Sequence, residues 1–247
     1  MRHPFGSVNT SRTANGFGEG IALVIRSRHR NVIILLAMKK NAPTLLGLVL
    51  CGGKSSRMGT DKGQLLKGDC TWAEHMCNRL SSLGLQTYLS INPLQQQNYS
   101  KIFPTEFLVT DRVDVKGPLA GMLSAHQLFP VKDIFVLPCD MIDIEITILQ
   151  RLLDIRQQII HADVYLYTKS SYLEPLCAIY TASGLEKLSV DYQKGHLTNF
   201  SVNRAIKNLS MVKLSAAEHR KDFRNYNTPD SVRKWQKTKT LFGTFFE

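Results

Sequence analysis

Residues 44–236 combine two hydrophobic patterns. Continuous apolar runs, which are typical of strands buried on both faces of a sheet, occupy Thr44–Leu50 and Asp133–Pro138. Shorter strands bounded by turn residues are predicted at Gln86–Ile91, Phe107–Val109, Ala162–Thr168, Leu173–Tyr180 and Met211–Leu214.

Between these strands, apolar residues recur at the spacing of amphipathic helices. The clearest helix start is the capping box Thr71-Trp72-Ala73-Glu74, and this helix is predicted to end at Gly84. Strands that alternate with helices predict an α/β domain with a doubly wound, mostly parallel sheet and helices on both faces. Further helices are predicted at 117–129, 145–156, 183–192 and 198–206, and after 225–230.

Polar or glycine residues follow the first four predicted strands of the sheet. Asn92, Asp111 and Asp140 each come directly after an apolar strand, and a glycine-rich segment follows Leu50. Ligands of such sheets bind beyond the carboxyl ends of the strands. These four strand ends are therefore predicted to form one site.

The segment from Leu50 to Lys62, Leu-Cys-Gly-Gly-Lys-Ser-Ser-Arg-Met-Gly-Thr-Asp-Lys, has the composition of a phosphate-binding loop. Glycines let backbone N–H groups approach an anion closely, and Arg57 and Lys62 supply positive charge. The spacing matches neither a Walker A loop nor a Rossmann fingerprint. Taken alone, the segment is also compatible with a glycine-rich turn that carries surface cations.

This segment closely resembles the signature of the nucleotidyltransferase family that includes molybdenum cofactor guanylyltransferase, with Cys51 in place of the usual alanine. Gly117-Pro118-Leu119-Ala120-Gly121 and Asn225-Tyr226-Asn227-Thr228-Pro229-Asp230 resemble two further blocks of that family, in the same order. The resemblance spans about Thr44 to Gln236. It implies a Rossmann-like nucleotidyltransferase fold of the GT-A type.

The resemblance also implies roles for individual residues. Arg57, Lys62 and Asp140 are expected to be catalytic, with Asp140 also holding Mg²⁺, and Asn227 is expected on the acceptor side. The implied nucleotide-binding residues are Leu50, Cys51, Gly52, Gly53, Lys62, Asn92, Asp111 and Asp140.

Structural alternatives exist for three of these residues. Asp140 is also suited to cap the helix that follows it, and Asn92-Pro93 is a common turn signal. Asn227 precedes Thr-Pro-Asp, which is a good helix start in its own right.

The activity implied by the resemblance is transfer of GMP from GTP to the terminal phosphate of molybdenum-molybdopterin, with release of pyrophosphate. The match is looser on the acceptor side, where Gly195-His196-Leu197-Thr198 lacks an arginine common in the family. One alternative is a relative that uses CTP or another phosphorylated acceptor. Another is a non-catalytic protein that binds nucleotide or molybdopterin.

The net charge of +11 does not indicate a nucleic-acid partner. Residues 1–43 contain seven Lys/Arg and one acid and so carry more than half of this charge, while the rest is scattered without interleaved aromatics. A modest positive balance suits a nucleotide. Implied partners are GTP, molybdopterin, other molybdenum cofactor biosynthesis proteins and molybdoenzyme chaperones.

The chain is expected to comprise one domain at 44–238 and a tail at 239–247. Residues 1–43 are interpreted as a disordered extension or a misassigned start, since Met38 stands where members of this family begin. The apolar stretch Asn31–Met38 is too short to cross a bilayer. Five cysteines without a C-x-x-C pair favour a reducing cytoplasm. A monomer or weak oligomer that binds neither nucleic acid nor membrane is expected.

Overall fold

A computed structural model of the chain describes residues 45–52, 61–169, 172–197, 200–217 and 223–235. The strands are β1 Leu45–Leu50, β2 Leu66–Lys67, β3 Cys70–Thr71, β4 Thr87–Ile91, β5 Leu108–Thr110, β6 Asp133–Pro138, β7 Val164–Lys169, β8 Tyr172–Tyr180 and β9 Met211–Ser215. The α-helices are α1 Trp72–Ser81, α2 Gln96–Tyr99, α3 Pro118–Leu128, α4 Ile146–Gln158, α5 Ala182–Gln193 and α6 Val202–Ala205. Residues 229–235 are also helical.

Seven of the strands form one sheet in the order β5-β4-β1-β6-β8-β7-β9. Strands β5, β4, β1 and β6 are mutually parallel, and β7 is parallel to β9. The predicted mostly parallel α/β fold is therefore confirmed. The exception is β8, which runs antiparallel to both β6 and β7. Only two residues separate β7 from β8, which is too few for the crossover that parallel neighbours need.

Helices cover both faces of this sheet, as predicted. Val49 points to the face covered by α1 and α4, whereas Leu48 and Leu50 point to the face covered by α3 and α5. This alternation along β1 explains why its sequence is a continuous apolar run: both faces are buried. The strand is thus fixed in register on both sides, which fixes the position of Cys51 and Gly52 directly after it.

Most predicted element boundaries agree with the structure within a few residues. The capping box at α1 is present: Thr71 Oγ1 accepts from Glu74 N at 3.2 Å, and Glu74 Oε2 accepts from Thr71 N at 2.7 Å. The helix predicted at 198–206 is shorter, because α6 covers only Val202–Ala205 and is followed by a 3₁₀ turn at Ile206–Asn208. Residues 198 and 199 lie outside the described part of the chain. The small β2–β3 hairpin was not predicted.

Two further expectations concern the cysteines and the membrane. All five cysteines are free thiols, and Cys51, Cys139 and Cys177 are buried. Burial raises the pKa of the Cys77 thiol to about 12, so this thiol is a poor nucleophile near neutral pH. Within the described ranges, no helix combines the length and apolar character that crossing a bilayer demands.

Candidate functional site

The carboxyl ends of β1 and β6 open into a cavity of about 250 Å³. The two strands are in register to their last residues, Leu50 and Pro138, so the segments that follow them begin side by side. Six of the residues predicted to form the site line this cavity, and so does Asn225, which the sequence analysis left out. The six are Leu50, Cys51, Gly52, Lys62, Asp140 and Asn227.

Lys62 lies at the centre of the polar groups in the cavity. Its Nζ is 2.8 Å from Asp140 Oδ2, and it also donates a hydrogen bond to Asn227 Oδ1. The Lys62 and Asp140 side chains are 17% and 13% exposed, so this ion pair is mostly removed from solvent. Three segments distant in sequence thus meet at one ammonium group, which gives the cavity a fixed positive charge beside a carboxylate.

Gly52 brings the ends of β4 and β5 next to the same loop. A Cβ atom at this position would lie 3.6 Å from both Asn92 N and Asp111 Oδ2. Gly52 N also donates to Ser90 O of β4 at 3.0 Å, so the ends of β4 and β5 lie directly beside the Gly52 backbone. The four predicted strand ends do meet at one edge of the sheet, although Asn92 and Asp111 flank the cavity rather than line it.

The side chain of Asn92 is engaged in its own turn. Its Oδ1 accepts from Leu94 N at 2.9 Å, and its backbone N–H donates to Gln95 Oε1 at 2.9 Å. These contacts are the turn role that the sequence left open for Asn-Pro. The Asn92 carboxamide oxygen is thus occupied, which leaves its amide N–H groups as the atoms suited to a ligand.

Asp111, in contrast to Asn92, has a side-chain oxygen without a hydrogen-bond partner in the described part of the chain. Its Oδ1 is buried and has no hydrogen-bond partner among the described residues. Burial raises the pKa of this carboxyl to about 6. A buried carboxyl oxygen without a partner is costly, and such atoms usually have a ligand or water to satisfy them. Asp111 is therefore well placed to accept hydrogen bonds from a bound molecule.

Asp61 supports the site structurally, and the sequence analysis missed this role. Its Oδ1 accepts from Gly63 N and from Tyr99 OH, both at 3.0 Å, and its Oδ2 accepts from Gln95 Nε2 at 2.7 Å. Asp61 thereby caps the 3₁₀ turn that carries Lys62 and ties it to the segment after β4. The available signal was an aspartate directly before Lys62, since aspartate is a preferred capping residue.

Asp61→Ala is expected to lower the free energy of unfolding by about 1–3 kcal/mol, because it leaves the buried Tyr99 hydroxyl without its acceptor. Urea unfolding followed by tryptophan fluorescence would measure the change. Asp69→Ala is the matched control, since Asp69 is an exposed carboxylate nearby in the chain. Equal stability of the Asp61 and Asp69 variants would show that Asp61 does not hold this turn.

Two predicted site residues, Gly53 and Arg57, lie outside the described residues, and their predicted roles stay predictions. No group of three His, Cys, Asp or Glu side chains in the described ranges is arranged to hold a metal ion.

Comparison with known proteins identifies related sequences and a related structure. The family model of the MobA-like NTP transferase domain matches residues 47–207. A molybdenum cofactor biosynthesis bifunctional protein of Synechocystis sp. is 30% identical over 190 residues, which cover 75% of this chain and 52% of that protein. A probable molybdenum cofactor guanylyltransferase of Flavobacterium johnsoniae is 30% identical over 138 residues, covering 56% and 69% of the two chains.

The crystal structure of molybdopterin-guanine dinucleotide biosynthesis protein A from Archaeoglobus fulgidus has a similar fold. The TM-score is 0.65 at 22% identity, with 79% of this chain and 98% of that chain covered. At this identity the likeness establishes the fold alone. The chain spans about half the length of several curated relatives that it matches.

Proposed function

Since the chain belongs to the MobA-like NTP transferase family, we propose that it transfers GMP from GTP to the terminal phosphate of molybdenum-molybdopterin. The observation that carries this proposal is the Lys62–Asp140 ion pair, which faces the cavity beside Gly52 at the carboxyl edge of the sheet. Relatives named molybdenum cofactor guanylyltransferase support the choice of GTP and of a molybdopterin acceptor.

The reaction balances without a protein nucleophile. An oxygen of the acceptor phosphate attacks the α-phosphorus of GTP, the bond between that phosphorus and the bridging oxygen breaks, and pyrophosphate leaves. The second pKa of a phosphate monoester is about 6, so the attacking oxygen is already ionised near neutral pH. The protein must instead align two polyanions and offset their repulsion.

Lys62 is suited to offset that repulsion. Its ammonium group is held in the cavity by Asp140 and Asn227, and a triphosphate that enters presents stronger negative charge than either partner. The backbone of Gly52 approaches the same region without a Cβ atom. Together these groups form a site for phosphate oxygens, to which Arg57 is proposed to add a second cation.

The residues present fit a divalent metal. Mg²⁺ takes oxygen ligands and is commonly bound by one or two carboxylates together with substrate phosphates and water. Asp140 supplies one such carboxylate at the cavity wall. When bound, Mg²⁺ would neutralise charge on the triphosphate, and Asp140 would hold it there.

Nucleotide affinity is expected to increase as the pH rises through about 6, where the Asp111 carboxyl loses its proton in the free protein. The ionised carboxylate accepts hydrogen bonds from the nucleotide, whereas the protonated form has lost part of this capacity. Titration calorimetry with GTP between pH 5 and pH 8 measures the effect. Asp111→Asn is the control. Its side chain cannot ionise, so any pH dependence that remains in this variant comes from GTP or from other groups of the protein. A wild-type profile identical to that of Asp111→Asn would contradict this role.

The proposed activity is tested by incubating the full chain with Mg²⁺, molybdenum-molybdopterin and GTP, CTP or ATP in parallel. Pyrophosphate and a guanine dinucleotide product are expected with GTP. Product with CTP instead would indicate a cytidylyltransferase, and binding without pyrophosphate release would indicate a non-catalytic carrier. Pyrophosphate with GTP but a different product would indicate another phosphorylated acceptor.

A further inference from the structure

The segment 223–235, called here the C-terminal segment, is anchored to the domain by an aromatic cluster. Tyr226 and Trp235 pack against Trp72 at the start of α1, with ring centroids 6.1 and 5.5 Å apart and edge-to-face geometry. The rings of Tyr226 and Trp235 are themselves 6.2 Å apart. All three side chains are buried, so they bury a large apolar area between the C-terminal segment and α1.

One carboxylate accepts hydrogen bonds from two residues of this cluster, whereas the buried Trp72 Nε1 has no hydrogen-bond partner among the described residues. Asp143 Oδ2 accepts from the Tyr226 hydroxyl, and Asp143 Oδ1 accepts from Trp235 Nε1 at 3.3 Å. The carboxylate of Asp143 therefore uses one oxygen for each of two residues of the C-terminal segment. Burial, followed by the hydrogen bond to Asp143, raises the pKa of Tyr226 to about 12, so its hydroxyl stays a donor at neutral pH.

The cluster sets the direction of the neighbouring asparagines. Tyr226 points into the core, while Asn225 and Asn227 on either side of it line the cavity. Asn227 contacts Lys62 there. Burial alternates over these three residues, with Tyr226 buried between two exposed asparagines, so holding Tyr226 inward holds both asparagines outward.

We propose that Asp143 is a positioning residue of the site: by holding Tyr226 and Trp235, it fixes Asn225 and Asn227 on the cavity wall in the geometry that the phosphorylated acceptor requires. The inference rests on the proposed function for the identity of that acceptor. Asp143 itself does not line the cavity and contacts the C-terminal segment from the core side.

The connection after β6 places Asp143 where it can hold the C-terminal segment against the site. Asp140 and Asp143 belong to the same short connection between β6 and α4. Asp140 faces the cavity and binds Lys62, and Asp143 faces the aromatic cluster. Two consecutive turns, closed by the bonds from Met141 N to Pro138 O and from Ile144 N to Met141 O, thus join the carboxylate at Lys62 to the one that holds the C-terminal segment.

Asn225 and Asn227 are suited to an acceptor with both phosphate and heterocyclic groups. The NH₂ of either carboxamide can donate to phosphate oxygens, and the oxygen of Asn225 can accept from a ring N–H, whereas the oxygen of Asn227 already accepts from Lys62. Such bonds need the carboxamide fixed in position, since a loose side chain must be ordered when the ligand binds. Loss of Asp143 is therefore expected to affect the acceptor more than the nucleotide.

Hydrogen–deuterium exchange of the C-terminal segment tests the positioning without any assay of activity. Exchange is expected to rise in Asp143→Ala, and less in Asp143→Asn and in Tyr226→Phe, which remove part of the hydrogen bonding. The chain has only two tryptophans, Trp72 and Trp235, so its fluorescence emission reports on this cluster. The emission maximum of Asp143→Ala should lie at longer wavelength than that of the wild type, because the two indole rings become more exposed to water. Asp230→Asn is the matched control, because it removes an exposed carboxylate from the same segment.

Kinetics of the full chain with GTP and molybdopterin tests the functional consequence. The KM for the acceptor is expected to rise about tenfold in Asp143→Ala, the loss typical of a hydrogen bond to a charged group, while the KM for GTP changes by less than about twofold. Asp143→Glu, which keeps both acceptor oxygens, should recover part of the loss. A purely structural role would lower the amount of active protein without changing the KM for the acceptor.

The outcomes separate the two proposals. Unchanged exchange in Asp143→Ala, or raised exchange with an unchanged KM for the acceptor, overturns the positioning role. Should Asp143→Ala fail to fold, Asp143→Asn and Tyr226→Phe carry the same comparison. Should the wild-type chain transfer no nucleotidyl group, the proposed function fails, and exchange and emission alone decide whether Asp143 holds the C-terminal segment.

Discussion

Asp140→Asn is expected to lower the rate of nucleotidyl transfer at least tenfold while leaving the fold intact. The substitution keeps the size of the side chain and one carbonyl oxygen but removes its negative charge. Asp140 is the carboxylate that we propose to hold Mg²⁺, and divalent metal ions bound to phosphates contribute several kcal/mol to stabilising the transition state. A neutral amide binds Mg²⁺ far more weakly than a carboxylate does.

Steady-state rates measured over a range of Mg²⁺ concentrations would separate loss of metal affinity from loss of fold. The Mg²⁺ concentration for half-maximal rate is expected to increase in Asp140→Asn, with a circular dichroism spectrum like that of the wild type. Asp154→Asn on the exposed side of α4 is the matched control. A folded Asp140→Asn variant with undiminished transfer would remove Asp140 from the site.

The position of Asp140 was predictable because its environment is local. The continuous apolar run Ile134–Pro138 predicts β6 as a central strand, and the first charged residue after it must emerge at the carboxyl edge. The same reasoning placed Asp111 and the loop after β1. Buried parallel strands therefore allow a site to be located from sequence without knowing the order of the strands.

Contacts between distant segments were not predictable in this way. Asn227 is 165 residues from Lys62 in sequence, and no local pattern shows that the C-terminal segment returns to the loop after β1. Asn225 was left out of the predicted site, and only Asn227 of the same sequence block was included. Its place on the cavity wall depends on Tyr226, which packs in the core through partners far along the chain.

The hydrogen-bond partners of Asp61 and Asn92 were not predictable from the sequence either. Both were in sequence segments recognised as important, yet their hydrogen-bond partners decide what each one does. Asn92 uses its oxygen to cap its own turn, and Asp61 joins the turn of Lys62 to the segment after β4. Residue type and spacing predicted where these side chains lie but not which polar atoms remain available to a ligand.

Lys62→Met is expected to reduce nucleotidyl transfer at least as strongly as Asp140→Asn. Methionine keeps the unbranched apolar stem but removes the only described cation that lines the cavity. At an effective dielectric constant of about 20, opposite unit charges ~4 Å apart attract by about 4 kcal/mol, from which desolvation must be subtracted. Single-turnover rates with saturating GTP would measure the loss in the chemical step, and GTP titrations would measure the loss in binding.

Lys62→Met also removes a hydrogen-bond partner from Asp140 and from Asn227, which predicts opposite effects on Mg²⁺ binding and on transfer. Without the ammonium group, Asp140 loses its 2.8 Å partner and Asn227 loses its donor, so the carboxylate becomes free for metal. Lys62→Met should therefore bind Mg²⁺ no more weakly than the wild type while transferring far more slowly.

Lys62→Arg should recover only part of the rate, because the planar guanidinium cannot reproduce the contacts of a compact ammonium. Lys207→Met, at an exposed lysine outside the cavity, is the control. Wild-type transfer by Lys62→Met would contradict the electrostatic role on which the proposed function depends.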